Sequence, residues 1–303
     1  MISARDADAG CENRAAGLQS GGVHAALKLD FALDPFTGRT ILNVSQQDPP
    51  LKVVRAFALA DGSALAHLHN VSGGLLGGDK LALSVRVGAG ARVQLTTTGA
   101  TRVYRPREEA SPVAQVSDIT VGENALLEYV PDAIVPFAGA RYLQRTTVHL
   151  AAGAGLFWWE ILAPGREARG EIFEYECVEM KTDVLALGRP IAAERVRLEP
   201  QRRNLSDLSR MGSARYWVTF YICRAGIGSS TWLAAERRLR EVAQSLTASG
   251  EIAIGISTLV AHGLVIRCLA RRGRGVLPAL HELWNAAKLL LYGREAVAPR
   301  KVN

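Results

Sequence analysis

The sequence is poor in the residues from which metal clusters and disulfide frameworks are built. It holds four cysteines, Cys11, Cys177, Cys223 and Cys268, far apart and without a Cys-x-x-Cys pair. That spacing argues against both a structural zinc site and a dense set of disulfides. Long apolar runs are missing as well. Even "IAIGISTLVAHGLVI" (252–266) contains Ser257, Thr258, His262 and two glycines, so no stretch reaches the roughly 18 to 20 residues of a membrane span. The first 22 residues carry Asp6, Asp8 and Glu12 and no continuous apolar core, unlike a secretory signal. They read as a flexible N-terminal extension, and a cytoplasmic location is expected. Aromatics make up only 6% of the chain. The excess of base, a net charge of +7, comes from arginines spread along the sequence, which suits a solvated surface or a face for an acidic protein partner better than a nucleic-acid groove.

Catalytic signatures are also absent. "GISTL" (255–259) lacks the second glycine of a nucleophile elbow, and no HExxH, strand-following GxGxxG or calcium-loop spacing occurs. A triad assembled from distant residues stays open, since its geometry is spatial. The stretch "GGLLGGDK" (73–80) is glycine-rich, yet Asp79 stands where a phosphate loop needs lysine, and the following "LALSVRV" alternates with the period of a strand. Gly73, Gly74, Gly77 and Gly78 therefore read as positions of positive φ and close backbone approach, with Asp79 presented at the turn.

What the chain does have is strand pattern. "VHAALKLDFAL" and "LKVVRAFAL" are short alternating segments, and "AHLHNV" leads into the glycine loop. One arrangement then recurs three times: a strand, a turn holding glycine and alanine, and a second strand, at 83–95, 117–130 and 147–161. Ala91, Ala125 and Ala154 mark the three turns, 34 and 29 residues apart, a spacing that suggests stacked β units. Two helices follow. "STWLAAERRLREVAQSLTASG" places Leu233, Leu239, Val242 and Leu246 near one face, with Ser230 as cap and Gly250 as stop. "VLPALHELWNAAKLLLYG" starts at Pro278, carries a stripe of Leu280, Trp284, Ala287 and Leu291, and ends at Gly293. The expected fold is mainly β, of stacked strands with a β-helix-like (solenoid-like) architecture plus two α-helices in the C-terminal half, and residues 23–303 form a single domain.

Several polar groups have more than one reading. His67 and His69 share a face of a strand and could reach one ion, or belong to an ordinary strand face. Glu174 and Glu176 in "EIFEYECVEM" read as a solvated strand edge. Glu160 follows Trp158 and Trp159, so its carboxylate is expected to be partly buried and to want a partner.

Four blocks in order, "HLHNVSGGLLGGDKLALSVRVGAGARVQLTTTGATRVYRP", "FAGARYLQRTTVHLAAGAGLFWWEILAPGREARGE", "GRPIAAERVRLEP" and "LWNAAKLLLYGREAVAPR", resemble the urease accessory protein family UreD, also called UreH. The resemblance covers nearly all of residues 23–303. It implies a non-catalytic role in urease maturation: a complex with the accessory protein UreF, the GTPase UreG and apo-urease, a dimeric assembly through UreF, and delivery of nickel by an internal passage. It implies no tightly bound cofactor, only transient Ni2+. A conduit needs weak, hydrated oxygen stations and not a closed nest of histidines and thiolates, which would trap the ion. Motif matching assigns Asp79, Thr101, Glu160 and Glu194 as lining or gating residues, with the four glycines, Tyr104 and Arg141 around them. The competing reading for each is a hydrogen bond that holds a turn, or an ion pair with an arginine such as Arg141 or Arg195. Two other classes compete with the scaffold: a carbohydrate-active enzyme on a β-solenoid with two carboxylates in a cleft, and a nucleic-acid binder acting through basic charge.

Overall fold

A computed structural model of the chain describes residues 22–107 and 110–299; the expected N-terminal extension lies almost wholly outside them. The fold is mainly β with two helices. A seven-stranded sheet contains β1 (His24–Leu33), β2 (Thr40–Gln47), β6 (Lys80–Val87), β9 (Val113–Val121), β12 (Arg141–Leu150), β14 (Cys177–Ala186) and β15 (Arg189–Leu198), in the order β15-β14-β12-β9-β6-β1-β2. The second sheet is built on β3 (Leu51–Lys52), β5 (Ala64–Asn70), β7 (Arg92–Thr97), β10 (Leu126–Tyr129), β13 (Gly155–Leu162), β16 (Tyr216–Arg224), β17 (Ile252–Thr258) and β18 (Gly263–Ala270), in the order β17-β18-β16-β13-β10-β7-β5-β3. Short strands β4 (Ala56–Ala58), β8 (Thr101–Val103) and β11 (Ile134–Pro136) attach to its margin.

The three recurring segments explain the layering. Each sends its first strand to one sheet and its second to the other, and successive copies pair in parallel: β6 with β9, β9 with β12, β7 with β10, and β10 with β13. The turns stack too. Leu126 N–H donates to Ala91 O (2.9 Å), Gly155 N–H to Ala125 O (2.8 Å) and Ala225 N–H to Ala154 O (2.9 Å). All three alanines are buried, and each leaves room for the turn above it. Parallel register makes equivalent side chains line up across strands, so one row between the sheets reads Val85, Ile119, Val148, Val184 and Ala192. This row belongs to a large apolar cluster together with Leu127, Leu156, Trp158 and Tyr221.

Strand β13 is buried along all eight residues because both its faces are covered. Leu156 and Trp158 point between the sheets, whereas Phe157, Trp159 and Ile161 pack under the helices. Helix α1 (Ser229–Thr247) buries Trp232, Ala235, Leu239 and Ala243. Of the expected stripe Leu239 is buried and Val242 and Leu246 pack against the core, whereas Leu233 is exposed and Trp232 takes its place. Ser230 lies inside the helix, which is preceded by Gly228 without a side-chain cap. Helix α2 (Val276–Tyr292) buries Leu280, Trp284, Ala287 and Leu291 as expected, and Gly293 closes it in the left-handed region. It begins two residues before Pro278. "LKVVRAFAL" does not run as one strand, because Val53 N–H donates to the Gln47 side chain (2.7 Å) in place of a ladder bond. The segment holding Glu174 and Glu176 becomes a strand only from Cys177 onward, and Glu176 instead lies near Arg141 at 3.8 Å.

Helix α2 is also held by a buried ion pair. Lys288 Nζ donates to Glu128 Oε2 (3.0 Å), and Trp284 Nε1 donates to Glu128 Oε1 (2.9 Å). Removing one member leaves the other charged and unpaired in the interior. Lys288→Met should therefore cost about 3–5 kcal/mol, read from urea denaturation, while Glu128→Gln combined with Lys288→Met should cost clearly less. Equal losses for the single and the double variant would contradict this role.

Candidate functional site

The apolar filling between the sheets is interrupted. One residue pair along from the valine row, the aligned inward positions are Leu83, Ser117, Thr146, Thr182 and Glu194. The next row places Gln115 beside Gln144. Ser117, Gln144, Thr146 and Thr182 are all buried. On the facing sheet, Glu160 of β13 pairs with Thr219 of β16, which pairs with Arg267 of β18. Leu81 and Met180 flank Gln115 and Gln144 in the same row, and with Val113, Tyr142 and Leu162 they belong to a separate apolar cluster. A polar stratum thus divides the space between the sheets.

Glu160 is its chemical centre. The side chain is 6% exposed. Its carboxylate accepts a short hydrogen bond from Gln144 Nε2 and a long one from Thr182 Oγ1 (3.5 Å). No lysine or arginine among the described residues forms an ion pair with it. Burial is the main cause that pushes its pKa up to about 7, with the Glu194 charge adding to the rise and the Gln144 and Thr182 hydrogen bonds opposing it. Thr219 Oγ1, on the neighbouring strand, is buried with no hydrogen-bond partner.

One cavity reaches this carboxylate, and a second adjoins the first. The inner one, about 40 Å³, is lined by Glu160, Asp132, Gln144, Thr146 and Tyr142 among others. The outer one, about 280 Å³, runs from Gly73, Gly74, His69 and Arg102 inward over a leucine floor. Thr97, Thr101, Gln115 and Tyr129 line both, so these four side chains form the wall that the two cavities share. Asp132 is fixed at the junction, where its Oδ2 accepts from Thr97 Oγ1 (3.0 Å) and its N–H donates to the same hydroxyl (2.8 Å).

The sequence-assigned residues distribute unevenly about this corridor. Thr101 lines both cavities and Glu160 lines the inner one. Glu194 lies at the far edge of the stratum, where it accepts from Tyr221 Oη and pairs with Arg267 at 3.3 Å. Its arginine partner is thus neither Arg141 nor Arg195; Arg195 bonds Asp183 at 2.7 Å. Asp79 lines neither cavity. Its Oδ1 accepts from Val23 N–H (3.0 Å) and its Oδ2 from Leu76 N–H (2.8 Å), which ties the glycine loop to the start of β1.

The loop itself is more than a turn. Leu75 bridges to Val103 and bonds main chain to main chain with Arg102 and Tyr104. Gly73 and Gly78 have φ of +79° and +90°. Side chains at Gly74 and Gly77 would collide with Tyr104 and Pro106. Tyr104 packs edge-on to Phe137, and Arg141 donates to Ala110 O; neither side chain lines either cavity. His67 meets Phe57 edge-on at 5.9 Å, and His69 sits at the outer mouth, its pKa lowered by burial and then by His67. No group of three or more metal-ligating side chains occurs among the described residues, and no described helix is long and apolar enough to cross a membrane.

Residues 23–303 match the family model described as UreD urease accessory protein. A protein of Herpetosiphon aurantiacus named urease accessory protein UreD is 46% identical over 280 residues, covering 92% of this chain and 96% of its own. Proteins of the same name from Dechloromonas aromatica and Pseudomonas fluorescens are 33% and 32% identical, each covering 91% of this chain.

The buried carboxylate has a consequence for stability. Its folded pKa near 7 lies above the ordinary value of 4.5, so the folded chain holds the proton after the unfolded chain has released it. Stability should fall as pH rises from about 4.5 to about 7. Glu160→Gln should remove that loss, with a gain on the order of 2–3 kcal/mol above pH 7 and little change below pH 4.5. Denaturation midpoints of both proteins across pH 4–8 provide the check; parallel profiles would refute it.

Proposed function

Since this chain belongs to the UreD family of urease accessory proteins, we propose that it serves urease maturation as a non-catalytic scaffold whose polar stratum conducts nickel toward the apo-enzyme. In this reading residues 23–303 act as one β-helix-like unit in the cytoplasm, assembled with UreF, UreG and apo-urease, with UreF bringing two copies together. The observation that carries it is Glu160: an ionisable group in the inner of two adjoining cavities, with neutral hydrogen-bond donors and no lysine or arginine paired with it among the described residues.

The donor set fits a cargo ion. Threonine and tyrosine hydroxyls, glutamine amides and the carboxylates of Asp132 and Glu160 offer oxygens, which hold a divalent ion less tightly than a nest of thiolates and imidazoles would. The outer cavity has room for an ion with its water shell, at roughly 30 Å³ per water. The inner one does not, so an ion that enters it exchanges water for protein oxygens. Such an exchange favours ions whose charge the carboxylates match, and it leaves the ion able to move on. In this reading Asp79 serves the loop, since each of its oxygens accepts a backbone N–H and it lines neither cavity. Glu194 acts from behind Thr182 by raising the proton affinity of Glu160. A glycan-cleaving alternative requires a cleft for a sugar ring, and 40 Å³ around the carboxylates does not provide one.

In cells expressing urease with its accessory proteins, Thr101→Trp, which plugs the junction, and Glu160→Leu, which removes the station, should each lower the nickel content and activity of urease severalfold. Pull-down of the accessory complex should remain as before. Urease that fills normally in both backgrounds would rule out this path, whereas loss of the complex would mean that the variants failed for another reason, to be separated by Glu160→Gln.

A further inference from the structure

At the opposite end of the second sheet from its stacked turns, β16 begins, β17 begins and β18 ends beside one another, and arginines gather there. Tyr216 pairs with Ala270, and Arg215 N–H donates to Ala270 O (2.8 Å), so the fold sets Arg215 across from Arg271. Like charges facing across an antiparallel pair are destabilising. Arg272 and Arg274 follow within three residues, and Gly273 between them is pressed onto the Tyr216 ring, where an added Cβ would lie 2.7 Å from a ring carbon. This contact fixes the loop with an arginine on either side. The result is an open basin of about 650 Å³ that holds four arginines and two carboxylates.

The two carboxylates are already committed. Glu167 bonds Arg215 at 2.6 Å and accepts from Tyr216 Oη at 2.8 Å. Glu251 Oε2 lies 3.6 Å from Arg272 Nε, an ion pair without a hydrogen bond. Arg271 meets only a neutral hydroxyl, donating to Ser213 Oγ at 3.0 Å, and no hydrogen bond or ion pair from the Arg274 side chain occurs among the described residues. Moreover, Arg274 lies two residues before the first residue of α2, a helix with no side-chain cap and no acid in its first turn. A cation at that end opposes the helix dipole. Two exposed guanidinium groups without an acidic partner among the described residues thus line one basin, and guanidinium groups match the planar, paired acceptor geometry of phosphate.

We propose that this basin binds a multiply charged phosphate-type oxyanion between Arg271 and Arg274, on a face separate from the corridor of Glu160. Free polyphosphate and the phosphate chain of a nucleotide share this chemistry.

Titration calorimetry of the full-length chain at low ionic strength, with pyrophosphate as the probe, tests the site. Saturable binding is expected, weakened about tenfold or more in Arg271→Ala combined with Arg274→Ala, as loss of a charge-assisted contact implies. Arg145→Ala, on the outer face of the other sheet, should bind as the unaltered chain does. Should the double variant fold poorly, phenylglyoxal labelling of the unaltered chain reads the same contact: pyrophosphate should shield Arg271 and Arg274 and leave Arg145 reactive. Comparing tripolyphosphate with a nucleoside triphosphate separates the sources, since equal affinity points to the phosphate chain alone and tighter nucleotide binding to an added base contact. No binding, equal binding by the double variant, or labelling unaffected by pyrophosphate would overturn the proposal.

Discussion

A carboxylate enclosed between two β-sheets, with amide and hydroxyl donors in place of a counter-ion, sets the terms for the rest of this molecule. Glu160 is kept there by its position on β13, a strand whose neighbours on both faces are large and apolar. Burying an unpaired charge is costly, and the chain meets that cost partly by letting the group keep its proton near neutral pH and partly by surrounding it with a whole layer of polar side chains. That layer is possible because the strands pair in parallel and in register: a polar residue at one inward position of β9, β12 or β14 lies beside its equivalents on the neighbouring strands.

The repeating turns are what enforce the register. The turns at Ala91, Ala125 and Ala154 stack, each alanine carbonyl accepting from an N–H of the next layer, at Leu126, Gly155 and Ala225, and each strand pair is measured from that point. The valine row and the polar row then follow at fixed distances from the turn. The glycine loop closes the other end, with Asp79 tying it to β1 and Gly74 admitting Tyr104 against the backbone. It forms a wall at the corridor's outer mouth, while the carboxylate it carries belongs to the scaffold.

Much of the fold is legible in the sequence for local reasons. Alternation marks the long strands, the alanine turns mark the repeat, and the stripe of α2 is readable because Leu280, Trp284, Ala287 and Leu291 are all large or tightly packed. In helix α1 the expected Leu239, Val242 and Leu246 meet the core, while Trp232, Ala235 and Ala243 complete the face in place of Leu233, and small residues give a weak signal for a buried face. At the site, Glu160 stands out as an acid next to two tryptophans. The stratum does not, because each strand contributes only one or two inward polar residues, and their alignment exists only once the strands are paired. Comparing "VAQVSDITV", "YLQRTTVHL" and "VEMKTDVLA" counted back from their turns would have exposed the shared polar positions Ser117, Thr146 and Thr182. Asp132 gives no comparable cue; its importance comes from a bond to Thr97, 35 residues away.

Occupation of the space beside Glu160 by a divalent cation is the central requirement of a nickel path through this protein. Anomalous scattering at the nickel absorption edge, from crystals of the full chain soaked with a nickel salt near pH 8, addresses it directly. A peak within coordinating distance of the Glu160 carboxylate, absent in crystals of Glu160→Gln, is the predicted result. Nickel confined to surface histidines, with the inner cavity showing no anomalous signal, would contradict it.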